Sequence, residues 1–363
     1  MKSQIKNMEI NVLMWFMMCS GVIGIAFNAF INVAKQDAWI APIIGMIIGF
    51  IPLFVFIKLI NYKSESNIND ILYEQFGVFG KIVSLLMCVM IAFYIIVTFY
   101  NLTNFISSEY LYSTPKFFIA IMFVIPILYT LIHPFQTLAR SVMIFGYIAF
   151  FLFIVGLIGL SFQTMPENVM PILVHGIGPS IQASFYDVCY INLPLFLLTI
   201  IPKKDIRNNE KLTKRMIITY LLSSFVVCTI TYVVLSVFGI ELSLLYQYPT
   251  YNILKRISLL SIFDRIESIV AIMWILFLYV TCTMGCYYIK KTFFQVFSWQ
   301  EGKITNGIIF IILCVILFTS IFIFPNNTFV NHMLLSFYPV LLSVFFFFIP
   351  CFLLIIIKIR KKQ

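Results

Sequence analysis

Charged residues are scarce in this sequence. Only 10% of its 363 residues are Asp, Glu, Lys or Arg, whereas 62% are hydrophobic and the mean hydropathy is +1.03. A soluble domain carries about 25% charge. Apolar runs of about eighteen residues or more recur along the chain, and each can cross a hydrocarbon core. Alternating segments of the kind that form outer-membrane barrels are absent from the sequence. The composition predicts an all-α, polytopic membrane protein.

The sequence also lacks the motifs of common enzyme classes. It has no Walker loop, no serine nucleophile elbow and no zinc-protease helix. The 8 cysteines fall inside apolar runs, and no two of the 3 histidines have metal-ligand spacing. We therefore predict no enzyme, no cofactor and no metal site. The net charge of +10 is attributed to membrane topology and not to nucleic-acid binding.

The apolar runs predict about ten spans in a single transmembrane domain over residues 1–363. The spans lie at about 9–34, 38–60, 79–108, 116–133, 140–162, 177–201, 213–238, 264–290, 304–324 and 332–357. Most of the 24 lysines and arginines lie on one side of the bilayer if both termini are cytoplasmic. No small-residue cleavage site follows the basic start, so the first apolar run is expected to be a retained span.

Three connections between spans are amphipathic. They lie at 67–82, 241–260 and 290–303. Such segments are expected to rest on the bilayer surface as interfacial helices. A role in gating is the alternative.

Spans 1 and 6 contain residues that interrupt helices. Span 1 has Ser20, Gly21 and Gly24 near its middle, and span 6 has Asp187 and Asn192 followed by a proline, in SFYDVCYINLP. Glycine and proline both weaken a helix. Two broken spans in corresponding halves predict inverted repeats around a site near the bilayer midplane. Close helix packing through small residues is the alternative.

The spacing of these spans divides the chain in two. Repeat one would cover about 9–162 and repeat two about 177–357. Each repeat would contain five helices, with discontinuous helices 1 and 6.

Asp187 is the unusual residue of span 6. An acid at mid-depth costs several kcal/mol if it faces lipid, so it is expected to face the protein interior. Its carboxyl would either meet a ligand amine, a cation or a proton, or hydrogen-bond free backbone groups of an unwound segment. The sequence leaves both interpretations open. Ser184 and Tyr186 lie in the same stretch and are included in the predicted ligand-binding site.

Polar residues also line one face of span 3 and of span 8. Tyr94, Thr98 and Asn101 share a face of span 3, and Tyr279 and Thr283 are four residues apart in span 8. All five are predicted to contribute to the ligand-binding site. The alternative is hydrogen bonding between helices, worth about 0.6 kcal/mol each in a bilayer.

Several stretches, taken in order, resemble one family. They are the two glycines of span 1, DAW at 37–39, NINDILYEQFGVFGKI at 67–82, STP at 113–115, PILVHGIGPSIQASF at 171–185 and DRIESIVAIMWI at 264–275. In this order and length, the chain resembles the B subunits of bacterial spore germinant receptors. These form the spore permease branch of the amino acid–polyamine–organocation transporters.

The resemblance implies a transporter-like fold and a place in the inner membrane of the dormant spore. It also implies a receptor with an A subunit and a lipoprotein C subunit, in which this chain recognises a small-molecule germinant such as an amino acid. An active amino-acid or amine transporter, with or without proton coupling, is the alternative, because both functions need the same cavity.

Overall fold

The structure is a computed structural model that describes residues 4–256 and 266–360. Its α-helices are α1 (Asn7–Gly21), α2 (Phe27–Ala34), α3 (Ile40–Ile60), α4 (Ile68–Phe76), α5 (Val78–Glu109), α6 (Lys116–Ile132), α7 (Phe135–Ser161), α8 (Gly178–Asp187), α9 (Leu212–Leu245), α10 (Pro249–Asn252), α11 (Ile266–Val296), α12 (Lys303–Ile323), α13 (Asn327–Leu335), α14 (Tyr338–Ser343) and α15 (Ile349–Arg360). The predicted all-α fold class is confirmed.

Within the described ranges, 8 helical segments are long and apolar enough to cross a membrane. The pair α1 and α2 and the 17-residue α6 are the other segments that the predicted ten spans require. The exact number of spans stays a prediction, as do the bounds of the two repeats.

Both predicted interruptions are present, but neither is unwound. Regular α-helical bonding changes to π-helix at Val22–Ala26 (π1) and at Val188–Asn192 (π2). The flanking backbone stays helical, with φ near −70° at Gly21 and −58° at Phe27. In span 6 the π segment is followed by a 3-10 helix over Leu193–Ile200, so the predicted discontinuity is a change of helix type and not an unwound stretch. A π turn keeps most backbone groups paired, which a bilayer interior requires.

The amphipathic connections are only partly as predicted. Residues 67–82 contain the short helix α4 and the start of α5. By contrast, α11 continues through the first half of 290–303 to Val296, so that piece is the end of a span and not a separate helix. In 241–260, α9 ends at Leu245 and α10 follows, while residues 257–260 lie outside the described ranges.

A two-stranded parallel sheet, which the sequence did not predict, joins the two halves of the chain. Strand β1 (Ile5–Lys6) pairs with β2 (Ile206–Arg207), with Lys6 opposite Arg207. The isoleucines are buried, and the basic residues are exposed. The sheet thus brings two positive side chains to one surface.

Two stretches that carry the family resemblance contact each other. The Asp37 carboxyl, in DAW, accepts a hydrogen bond from the Leu173 amide at 2.9 Å, and Ser180 Oγ donates to the Asp37 carbonyl at 3.4 Å. Leu173 has a φ of 57°, in the left-handed region that is unfavourable for a residue with a Cβ. Asp37 is buried and holds this connection against the start of α3.

Replacing Asp37 with alanine should lower stability by about 1.5–3 kcal/mol, because the Leu173 amide loses a charged acceptor. The measurement is the thermal unfolding midpoint of the purified protein in detergent. Asp37→Asn keeps an acceptor oxygen and should lose clearly less. Equal midpoints for Asp37→Ala and the wild type would contradict a stabilising role for this contact.

Candidate functional site

The two π segments face each other across a close backbone contact. A Cβ on Gly21, just before π1, would lie 2.3 Å from the carbonyl oxygen of Tyr190 in π2. Only glycine permits this approach. Gly24 lies inside π1 itself. Gly21, predicted from the sequence to interrupt span 1, therefore allows the interrupted parts of spans 1 and 6 to come together.

A cluster of hydroxyl groups lies beside this contact, between α1, α5 and α11. Thr281 Oγ1 lies 3.0 Å from Ser20 Oγ and 2.9 Å from the Phe277 carbonyl of its own helix, so it can donate to either. Ser20 Oγ donates to the Met17 carbonyl at 2.7 Å. The Tyr94 side chain lies near Ser20 and Thr98, and Thr98 Oγ1 donates to the Tyr94 carbonyl one turn earlier on α5 at 2.8 Å. Ser20, Tyr94, Thr98 and Thr281 are all buried. Three residues predicted from the sequence thus meet at one place.

Asn101 lies about one turn along α5 from Thr98. Its side chain is buried, and its Nδ2 has no hydrogen-bond partner in the described part of the chain. A buried amide donor without a partner is costly, and such groups often mark sites that bind something. Asn101 therefore extends the hydroxyl cluster with a free donor.

The residue of span 8 that joins the hydroxyl cluster is Thr281, and not the predicted Tyr279 or Thr283. Tyr279 hydroxyl lies 2.8 Å from Thr130 Oγ1 and 3.1 Å from the Pro126 carbonyl, so it joins α11 to α6. Thr283 Oγ1 donates to the Tyr279 carbonyl in its own helix. Thr281, two residues from each of them, points to Ser20 because two residues turn a helix by about 200°. The four-residue spacing marked one face of span 8, and the hydroxyl cluster uses the other.

Asp187 lies in a second polar cluster, apart from these hydroxyls. It is 3% exposed, and its Oδ2 accepts from Asn192 Nδ2 at 3.2 Å. A Cβ on Gly45 of α3 would lie 2.2 Å from the same oxygen. No ion pair to Asp187 occurs among the described residues. The carboxyl faces the interior, as predicted, but toward span 2.

Span 2 supplies the contact surface for this second cluster. A Cβ on Gly49 would lie 2.3 Å from the Tyr220 hydroxyl and 2.6 Å from Asn192 Nδ2. Tyr220 in turn donates to the Met46 carbonyl at 2.8 Å. The four-residue spacing of Gly45 and Gly49 is the small-xxx-small pattern of close helix packing, and it could have identified this surface.

The remaining predicted residues of span 6 contact their own helix or α13. Ser184 Oγ donates to the Ile181 carbonyl at 2.7 Å, and the Tyr186 hydroxyl donates to the Leu335 carbonyl at 2.9 Å. The ring of Tyr186 stacks on Tyr190 at a centroid distance of 6.3 Å. This face of span 6 therefore packs against α13, the short helix before the last span.

A small apolar cavity adjoins π1 on the side away from span 6. Its volume is about 70 Å³, and its lining includes Val22, Thr250, Met273 and Trp274. Thr250 Oγ1 has no hydrogen-bond partner within the described ranges. No group of three His, Cys, Asp or Glu side chains in those ranges could hold a metal ion. The site's chemistry is that of hydroxyl and amide hydrogen bonding.

The chain is a helical membrane protein that has the fold of solved secondary transporters. A substrate-bound, outward-open Na⁺-coupled sialic acid symporter matches with a TM-score of 0.64 and 11% identity, over 95% of this chain and 79% of that one. A manganese transporter of Eremococcus coleocola matches with a TM-score of 0.59 and 11% identity, over 93% and 77%. At such identities the likeness shows the fold alone.

Sequence comparisons identify the family of the chain. A family model described as "Spore germination protein" matches residues 4–329, and the chain belongs to this family. Spore germination protein KB of Bacillus subtilis (strain 168) is 21% identical over 243 residues, which span 65% of this chain and 64% of that protein. The putative spore germination protein YfkT of the same strain is 24% identical over 245 residues, or 68% and 67%. The resemblance seen in the sequence is confirmed, and the family is one of permease-like membrane proteins and not of enzymes.

Proposed function

We propose that this chain is the membrane subunit of a spore germinant receptor, and that it binds a small-molecule germinant at the cluster formed by Ser20, Tyr94, Thr98, Asn101 and Thr281. The observation that carries the proposal is the position of this cluster. It lies beside two facing π segments, in a family of spore germination proteins. Transporter folds place their substrate sites at interrupted helices near the bilayer midplane.

The cluster suits an amino acid or a similar small polar molecule. Hydroxyl groups and the free Asn101 amide donate hydrogen bonds, which a carboxylate would accept. A π turn changes the pairing of backbone carbonyls, and a displaced carbonyl can accept a bond from an amine. The neighbouring apolar cavity at Val22 and Trp274 offers space for an aliphatic group.

The proposal includes partners and a location. The receptor would contain an A subunit and a lipoprotein C subunit, in the spore inner membrane, with both termini of this chain in the cytoplasm. The support is the family assignment and the excess of Lys and Arg on one side. Co-purification of all three subunits from spores tests the complex, and protease access to terminal tags tests the orientation.

Removing the Thr281 hydroxyl tests the site. Thr281→Val keeps the volume but removes the donor to Ser20, so we expect about tenfold lower germinant sensitivity, equivalent to about 1.4 kcal/mol. The measurement is a germinant dose–response in spores, with the subunit level checked by immunoblot. Thr319→Val is the matched control, because Thr319 is only partly exposed on α12 and, among the described residues, its hydroxyl donates to the Val315 carbonyl of its own helix alone.

An unchanged dose–response for Thr281→Val would reject this binding site. Uptake of labelled germinant by proteoliposomes separates the receptor from the transporter alternative, which the transporter folds of the structural neighbours favour. Concentrative uptake that follows the same dose–response as binding would identify a transporter.

A further inference from the structure

A long apolar groove opens toward the lipid between α1, α7 and α9. Its volume is about 770 Å³, and its walls include Trp15, Phe150, Phe153, Leu222 and Val226. The lining is almost entirely apolar, and Leu222 on its rim is 62% exposed. The groove is distinct from the hydroxyl cluster, whose residues are not part of its lining.

A basic pocket continues this groove at one membrane surface. It has a volume of about 190 Å³ and is lined by Lys6, Asn7, Met8, Arg207, Asn208 and Arg215. Met8 and Arg215 line both the pocket and the groove, so the two are continuous. The pairing of β1 with β2 sets Lys6 beside Arg207, and Arg215 lies in the first turn of α9.

The three basic side chains have no acidic partner in the described part of the chain. The ion pairs there involve Lys63, Lys204 and Lys255 instead. No acidic residue lines the pocket. The pocket therefore concentrates positive charge that is free to bind an anion, and Asn208 and Asn7 add polar atoms to its wall.

The dimensions fit one lipid of one leaflet. On α9 the groove extends from Arg215 to Val226, which is about 16 Å of helix. Half of a hydrocarbon core is about 15 Å. Inside the groove, Asn11 Oδ1 and Ser223 Oγ are buried and have no hydrogen-bond partner within the described ranges.

We propose that the groove and the basic pocket form a binding site for one anionic phospholipid, with the phosphate at Lys6, Arg207 and Arg215 and an acyl chain against α1, α7 and α9. Charge complementarity selects the anionic headgroup, since basic pockets between membrane helices bind such headgroups. The apolar groove selects a lipid over a free phosphate compound. Because α1 carries Ser20 and leads into π1, the bound lipid lies against the helix that also forms the ligand site.

Native mass spectrometry of the purified full chain tests the site, with dioleoyl phosphatidylglycerol as the probe. Phosphatidylcholine and glycerol 3-phosphate serve as the zwitterionic and chain-free comparisons. The triple variant Lys6→Gln, Arg207→Gln, Arg215→Gln should bind phosphatidylglycerol about a hundredfold more weakly, at about fivefold per basic residue. The control variant Lys203→Gln, Lys211→Gln, Lys214→Gln removes three positive charges at positions between 203 and 214 that do not line the pocket, and should bind like the wild type.

A second variant tests the groove without changing charge. Thr219 lies partly buried in the groove wall, and Thr219→Trp would fill the space of the acyl chain. It should weaken phosphatidylglycerol binding about tenfold. Equal losses in the two triple variants, or equal binding of phosphatidylcholine and phosphatidylglycerol, would overturn the proposal. Binding of glycerol 3-phosphate as tight as that of the lipid would show a free-phosphate site instead.

Discussion

Replacing Asp187 with asparagine should shift the germinant dose–response to about ten- to a hundredfold higher concentrations, while the subunit level stays normal. A carboxyl can exchange a proton with its surroundings, and an amide of the same size cannot. The prediction takes Asp187 as a group that exchanges a proton during the response, and a ten- to hundredfold shift corresponds to about 1.4–2.7 kcal/mol. Dose–response curves in spores, with immunoblots for abundance, are the measurement.

The contacts of Asp187 determine the effect expected of each variant. Asp187 accepts from Asn192 and packs against Gly45, so it acts between spans 2, 6 and 7 and not within the hydroxyl cluster. Asp187→Leu should lower the subunit level, because Asn192 Nδ2 loses its acceptor. Asp205→Asn, outside the spans, is the matched control and should respond normally. A normal dose–response for Asp187→Asn would make the residue a structural hydrogen-bond acceptor only.

Replacing Gly21 with alanine should strongly reduce the amount of folded protein. Its Cβ would lie 2.3 Å from the Tyr190 carbonyl oxygen, and both atoms belong to helix backbones that cannot rotate away. Overpacking of this kind costs about 1–3 kcal/mol or more. Gly21→Leu should have a larger effect. The subunit level in membranes and the thermal unfolding midpoint in detergent measure the loss.

The control for this prediction is Gly307→Ala. Gly307 lies in α12, and a Cβ there would meet no atom within 4 Å. Alanine is favoured over glycine in a helix by about 1 kcal/mol, so this variant should be at least as stable as the wild type. Normal abundance of Gly21→Ala together with a lost germinant response would mean that the glycine serves ligand binding and not the contact between spans.

The sequence by itself determined the fold class and the family. Few charged residues and long apolar runs indicate that the chain lies in a membrane. In lipid, every backbone group must be paired within the protein, so apolar runs of this length must form helices. Gly21 and Asn192 indicated where the helices of spans 1 and 6 are interrupted. Glycine weakens a helix, and a polar side chain at mid-depth is unfavourable in a span that faces lipid. The ordered stretches such as DAW identified the family. All of these features are local, and local patterns can be read along one chain.

Only the tertiary structure decided which side chains meet. Thr281 contacts Ser20 although Tyr279 and Thr283 had the more regular spacing, because the packing of α11 against α1 selects the face. Asp187 packs against Gly45 of span 2, a contact that no polar residue near Gly45 indicated in the sequence. The interruptions became π turns because helix packing in a bilayer favours backbone groups that remain paired. Helix rotation and distant contacts depend on how all spans pack together, and no single span specifies that arrangement.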